Sequence, residues 1–198
     1  MVTRLVLVRH GETEWSVNGR HTGRTDIPLT PNGENEARAA AETLAEWDFE
    51  RVFSSPLQRA TRTANLAGFE PELDDRLVEW DYGDAEGRTN AEIVAEKPGW
   101  SKWTDGVGNG ESAADVGERA DSFVSVAGAI EGEVLIFAHG HFLSILVARW
   151  LGLPAEDGRF FPLATATVSV LGTKRTDGII ETLNHRCGNH LAAKPVDR

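Results

Sequence analysis

Leu7-Val8-Arg9-His10-Gly11-Glu12-Thr13-Glu14-Trp15 carries an apolar run straight into an Arg-His pair at the mouth of a loop. Leu5 to Val8 is a continuous Leu and Val stretch, the pattern of a strand buried on both faces in a largely parallel sheet. A histidine at such a strand end can be a nucleophile toward phosphorus, with the arginine beside it holding the phosphate. In an isolated Arg-His pair the histidine more often merely caps the strand and the arginine is solvated, so the rest of the chain has to decide.

Working outward, Thr30-Pro31 opens a helix in which Thr30 is a natural N-cap and Pro31 sits where a missing N–H costs nothing. Ala37, Ala40, Ala41 and Leu44 fall on one face of it. Val52-Phe53 reads as a second strand, and Ser55-Pro56 caps a helix with Leu57, Ala60 and Ala64 inward and Gly68 at its end. Thr89 to Lys97 is a short helix stopped by Pro98, and Gly106 to Gly110 is a loop. Ser112 and Asp115 form a capping box for a long helix through Val116, Ala120, Phe123, Ala127 and Ile130. Val134-Leu135-Ile136-Phe137 is a central strand ending in Ala138-His139-Gly140-His141, followed by an apolar helix through Leu143, Leu146, Val147 and Trp150. Ala166 to Leu171 and Ile179 to Leu183 read as strands joined through a turn at Asp177-Gly178, with an irregular tail from Asn184. This alternation predicts an α/β three-layer sandwich: a mostly parallel sheet with one antiparallel strand and helices on both faces.

Bulk properties narrow the function. The 198 residues suit a single domain, 1–198, with the 80–115 segment as a lid-like excursion. Thirty-one acidic against 20 basic residues give a formal charge of −11, which argues against nucleic acid or an anionic membrane as partner. An anionic substrate then needs a local arginine cluster. Cys187 is the only cysteine, so no intramolecular disulfide forms. No stretch approaches membrane-spanning length, and the apolar run near Met1 is too short for a signal peptide, so a cytoplasmic protein is expected. The alternating strand around Val168 and Val170 is an edge through which a homodimer could pair.

In open α/β sheets ligands bind beyond the carboxyl ends of strands, where helix N-termini offer free N–H groups to anions. Arg9 and His10, Arg59 in the first turn of a helix, and His139 all fall at such places. Planar guanidinium groups match the paired oxygens of a phosphoryl group, so their convergence would cradle one. Arg59 faces the unfavourable end of its helix dipole, which a mere surface charge would avoid.

Arg9-His10-Gly11-Glu12-Thr13, Thr22-Gly23, Ser54-Ser55-Pro56-Leu57-Gln58-Arg59-Ala60, Glu79-Trp80-Asp81-Tyr82-Gly83 with Glu86-Gly87, Gly110-Glu111-Ser112 and Ala138-His139-Gly140-His141 together resemble the histidine phosphatase superfamily, in its phosphoglycerate-mutase-like branch. The resemblance implies covalent phosphohistidine chemistry: His10 attacks phosphorus through one ring nitrogen while the other donates to a backbone carbonyl. Arg9, Arg59 and His139 would hold the equatorial oxygens. Glu79 would protonate the leaving oxygen and then activate water, which implies an acidic pH optimum. Ser16, Thr22, Gly23 and Gly140 are implied as substrate contacts, with Ser16 replacing an Asn found in the mutases. No cofactor and no metal is required.

Two departures favour hydrolysis over mutase chemistry. The mutases carry an Arg directly after the catalytic Glu and a longer basic insertion before the second His; here stand Trp80 and a segment whose basic residues are Arg88, Lys97, Lys102 and Arg119. A small organic phosphate ester is the expected partner, with Trp80, Tyr82 and His141 either walling its pocket or packing inside the core. Arg24 and Arg62 read as surface cations. A phosphoglycerate mutase and a catalytically inactive phosphate-binding or regulatory module are the alternatives. A metal site at His139-x-His141 or at His185 and His190 lacks an Asp or Cys partner at motif spacing, and no Gly-x-x-x-x-Gly-Lys motif for a nucleotide kinase occurs.

Overall fold

The apolar strand that precedes the Arg-His pair lies at the centre of the sheet. A computed structural model describes residues 4–187. Its elements run β1 (Arg4–Arg9), α1 (Glu14–Asn18), α2 (Pro31–Leu44), β2 (Phe49–Ser54), α3 (Gln58–Leu66), β3 (Glu72–Leu73), α4 (Asn90–Glu96), α5 (Lys102–Asp105), α6 (Ala113–Ala127), β4 (Glu133–Ala138), α7 (Gly140–Trp150), β5 (Thr167–Lys174) and β6 (Asp177–Arg186). The strand order is β3-β2-β4-β1-β5-β6, and β5 alone runs against the others. The expected α/β layer fold, with a largely parallel sheet and one antiparallel strand, is the fold observed.

Side-chain alternation builds the layers. Leu5 and Leu7 of β1 join Val134 and Ile136 of β4 beneath α6 and α7, packing against Val116, Phe123, Phe142 and Leu146. Val6, Val8, Leu135 and Phe137 point the other way, onto Ala40 and Leu44 of α2 and Ala64 of α3. Period-two strands thus bury both faces, which is why their sequences read as unbroken apolar runs. The Thr30 cap and the Ser112 to Asp115 capping box form as the sequence implies, and Thr89 with Glu92 closes a further capping box at the start of α4. Trp80, Tyr82, Ala85 and Ile93, from the first half of the 80–115 segment, join the core beneath α6 and α7.

Some expectations are corrected. The last hairpin turns at Arg175-Thr176, not Asp177-Gly178: Lys174 pairs with Asp177, and Arg175 takes a left-handed φ of 59°. Its partner strand continues to Arg186, so the chain from Asn184 is regular up to that point. β5 is paired by β1 on one side and β6 on the other, which removes Val168 and Val170 as an open edge. Helix α3 begins at Gln58 rather than at Ser55-Pro56. Its first amide bonds to the Asp26 carboxylate (2.9 Å), a cap supplied from a distant loop and therefore invisible in local sequence. The strand β3 and the short helices α1 and α5 carry too little periodicity to be read in advance.

The loop after β1 meets the first turn of α2 without side chains between them. A Cβ added to Gly33 would collide with the backbone carbonyl of Glu12, and one on Gly11 with the carbonyl of Gly33. Gly33→Ala should therefore destabilise by about 1–3 kcal/mol, seen as a lowered urea midpoint with unchanged slope. A midpoint equal to that of the wild type would show that this contact yields freely.

Candidate active site

The three central strands end in register, with Arg9 beside Ala138 and Ser54 beside Phe137. The residues that follow, His10, His139 and Ser55, are consequently delivered to one edge of the sheet. Backbone bonds from His10 N to Ala138 O (3.0 Å) and from Ser55 N to Phe137 O (3.0 Å) lock that edge. The His10 and His139 rings come to rest 5.2 Å apart between centroids.

His10 is buried, 4% exposed, and its Nδ1 lies 2.7 Å from the carbonyl of Gly11. A carbonyl only accepts, so Nδ1 carries the proton and Nε2 is left with its lone pair. Burial, then the charges of Arg9 and Arg59, push the His10 pKa well below its ordinary value, which keeps the ring neutral. Thr63 holds the loop from behind: its hydroxyl accepts from Gly11 N (3.0 Å) and donates to Arg59 O (2.7 Å).

Arg9 donates from Nη1 to the Leu163 carbonyl (2.6 Å), while its buried Nε has no hydrogen-bond partner among the described residues. Nor does any ion pair reach it there, although Glu79 and Glu36 lend it favourable potential. Such an orphaned guanidinium proton calls for an anionic ligand. Gly140 lets the guanidinium lie flat on the start of α7, since a Cβ there would sit 3.1 Å from Arg9 Cζ.

Arg59 is fully enclosed and spends most of its donors internally. Nε donates to His139 Nδ1 (3.2 Å), Nη1 to Thr25 O (3.0 Å) and Nη2 to Thr22 O and Gly23 O (3.2 and 2.9 Å). Thr22 and Gly23 thus present carbonyls to Arg59, and Gly23 N is bound to the Glu86 carboxylate (3.0 Å). His139, 0% exposed, has both ring nitrogens engaged, the second with Ser55 Oγ at 2.8 Å. Because Nδ1 accepts from Arg59, Nε2 carries the proton and donates to Ser55. A phosphoryl oxygen would have to share these donors rather than find them idle.

Glu79, 4% exposed, lies at the N-terminus of α7. Its carboxylate accepts from the backbone amides of Trp80 (2.9 Å), His141 (3.0 Å) and Phe142 (2.8 Å). Ser16 closes a capping box with Thr13 at the start of α1. Trp80 and Tyr82 are enclosed in the core, which favours packing over pocket walls; Trp80 Nε1 donates to Glu111 O (2.7 Å), and the Tyr82 hydroxyl lies 2.5 Å from His141 Nδ1. Burial raises the phenol pKa well above its usual value, so Tyr82 is the donor in that bond. No site role was assigned in advance to Ser55, Thr63 or Glu86, because the partners that give them one stand 84, 52 and 63 residues away in sequence. Arg62 pairs with Glu34 at the surface. Among the described residues no group of three or more His, Cys, Asp or Glu is gathered for a metal, and no helix is long and apolar enough to cross a membrane. His190 lies outside the described residues.

These neutral histidines make stability pH-dependent. Burial lowers the folded-state pKa of both His10 and His139, whereas in the unfolded chain they titrate near their ordinary 6.5. Below that value the unfolded state binds more protons, so stability is full above about pH 6.5 and falls as the pH drops, by up to about 1.4 kcal/mol per pH unit for each histidine. His141 shifts in the same direction, but 35% of its side chain is exposed and water dilutes its share. Urea midpoints taken between neutral and acidic pH should decline; a constant midpoint would contradict the neutral assignment.

A guanidinium with an unpartnered Nε–H beside an imidazole with a free lone pair, at the carboxyl ends of parallel strands, defines an α/β protein suited to receiving a phosphoryl group. The family model of the histidine phosphatase superfamily (branch 1) matches residues 5–186. The chain belongs to that superfamily. It is 42% identical over 174 residues to an acid phosphatase of Mycobacterium tuberculosis, covering 85% of this chain and 86% of that one. A sedoheptulose 1,7-bisphosphatase of Saccharomyces cerevisiae is 35% identical over 191 residues, covering 79% and 70%. Among solved structures, the open reading frame Rv3214 of Mycobacterium tuberculosis superposes with a TM-score of 0.89 at 39% identity, covering 93% of this chain and 98% of that one.

Proposed function

We propose that the chain is a phosphatase that hydrolyses small organic phosphate monoesters through a phosphohistidine intermediate, fastest on the acid side of neutrality. The observation that carries this reading is the fixed His10 tautomer, with Nδ1 tied to Gly11 O and Nε2 free. Nε2 attacks phosphorus as the ester P–O bond breaks, and the protonated Glu79 carboxyl gives its proton to the leaving oxygen. Glu79, now a carboxylate, takes a proton from water; the hydroxide so formed displaces His10 from phosphorus and releases inorganic phosphate. Arg9 meets the oxygens with its unpartnered Nε–H, and Arg59 and His139 brace the opposite side. The lowered His10 pKa supports activity at acidic pH, since the nucleophile stays neutral below the usual histidine range. The single cysteine fits a cytoplasmic setting.

The test is phosphate release from a panel of small esters at about pH 5.5, run beside a mutase assay with 3-phosphoglycerate. Release without mutase turnover, undiminished by EDTA, is the expected result. Mutase turnover would overturn the reading, silence in both assays would favour an inactive phosphate-binding module, and loss under chelation would restore a metal. A flat rate profile from about pH 4 to 8 would remove Glu79 from its acid-base role.

A further inference from the structure

We propose that His141 is a specificity-determining residue: it offers its Nε2–H to a hydroxyl or carbonyl oxygen on the second carbon of the alcohol, so that the preferred esters are phosphates of polyols and sugars. The inference rests on the phosphatase reading, in which Glu79 protonates the leaving oxygen, and deepens it by naming the alcohol.

The lone pairs of Glu79 decide where that leaving oxygen arrives. Oε1 accepts two amides, from Trp80 (2.9 Å) and Phe142 (2.8 Å), and is saturated, whereas Oε2 accepts the His141 amide alone (3.0 Å) among the described residues. Oε2 therefore keeps the position that carries the transferable proton. The imidazole of His141 stands beside that same oxygen, its Nδ1 at 3.9 Å and so beyond hydrogen-bond range.

Tyr82 sets the tautomer of this ring. Its enclosed hydroxyl must place a proton, and its one acceptor among the described residues is His141 Nδ1, at 2.5 Å. Nδ1 then holds the lone pair and Nε2 the proton. Burial, then the charges of Lys102, Arg9 and His21, holds the His141 pKa well below its ordinary value, so the ring carries that one proton only. Trp103 (5.5 Å between centroids), Tyr82 (5.7 Å) and Trp80 (6.3 Å) pack around the ring and fix its plane. Nε2 has no partner among the described residues, yet it is not enclosed. The buried side-chain polar atoms left unpartnered there are Arg9 Nε and Trp47 Nε1, and 35% of the His141 side chain is exposed. A neutral donor of fixed orientation is thus open to solvent on the ring that flanks the acid oxygen. When the leaving oxygen meets Oε2, an oxygen on the second carbon lies three bonds further on, within reach of that donor. A simple alkyl or aryl ester leaves the donor to water.

The experiment sets glycerol 3-phosphate against propyl phosphate, which has the same carbon skeleton and charge but neither hydroxyl. Wild type should favour glycerol 3-phosphate, and the ratio of the two kcat/KM values should fall by about fivefold to twentyfold in His141→Phe. It should fall by less in Tyr82→Phe, which keeps the imidazole but frees its tautomer. Equal loss on both esters would overturn the proposal by showing that His141 acts only through Glu79; no loss on either would overturn it outright. Long-range proton–nitrogen NMR correlation, with the His141 signals assigned by their absence from His141→Phe, should show the proton on Nε2 in wild type and a mixture of tautomers in Tyr82→Phe. A wild-type ring protonated on Nδ1 would also overturn the proposal. Titration of both esters into His10→Ala protein, followed by NMR, separates this proposal from the reading beneath it. If adding His141→Phe erases a preference for glycerol 3-phosphate, the contact stands even where the wild type hydrolyses nothing. An unchanged preference, or none to begin with, removes it even if hydrolysis is brisk.

Discussion

His10→Ala should abolish phosphate release, lowering kcat by about four orders of magnitude or more, because no other group stands ready to take over the attack on phosphorus. Both ring nitrogens of His139 are engaged, by Arg59 and by Ser55, so it cannot substitute. Acid-sensitive phosphate should accumulate on wild-type protein quenched during turnover with a good leaving group, and none on the variant. The fold should survive, since the change removes one imidazole bonded to its neighbour's carbonyl rather than to a distant element. Residual turnover within about tenfold of wild type would mean that water attacks directly and that His10 only positions the phosphate.

Arg59→Met should damage stability and activity together. The guanidinium is 0% exposed, and its loss strands the carbonyls of Thr22, Gly23 and Thr25 as well as the ring nitrogen of His139. Removing one partner from such a buried polar set costs about 3–5 kcal/mol, and losing an aligned cation beside the phosphoryl group costs about a hundredfold to a thousandfold in kcat. Lysine should rescue poorly, because one ammonium cannot reach four acceptors spread around a planar fork. The loss of stability is read from the urea midpoint and the loss of rate from phosphate release by the fraction that remains folded. An Arg59→Met protein of wild-type stability would show that the 22–25 loop is held by the Glu86 carboxylate alone.

Much of this architecture was legible because its signals are local. Leu5 to Val8 and Val134 to Phe137 read as central strands from composition alone, since strands buried on both faces tolerate little else. Thr30, Thr89 and Ser112 announced helix starts because their hydroxyls satisfy amides only a few residues away. The turn at Arg175-Thr176 was misplaced because Asp177-Gly178 is the stronger turn pair by type, yet strand pairing with β5 continues through both of those residues. Trp80 and Tyr82 could not be divided between pocket and core in advance, as aromatic character suits either.

The sequence by itself determined most of the strands and helices and marked Arg9, His10, Arg59 and His139 as chemical candidates, because residue type and position at an element's end are one-dimensional properties; Glu79 was marked by its motif alone. Tertiary structure alone decided how each is used. Which nitrogen of His10 is free depends on the carbonyl of Gly11, and Arg59 is held by a loop more than thirty positions away. Hydrogen-bond partners and desolvation are set by what the chain brings together across long separations, and no local pattern of residues encodes them.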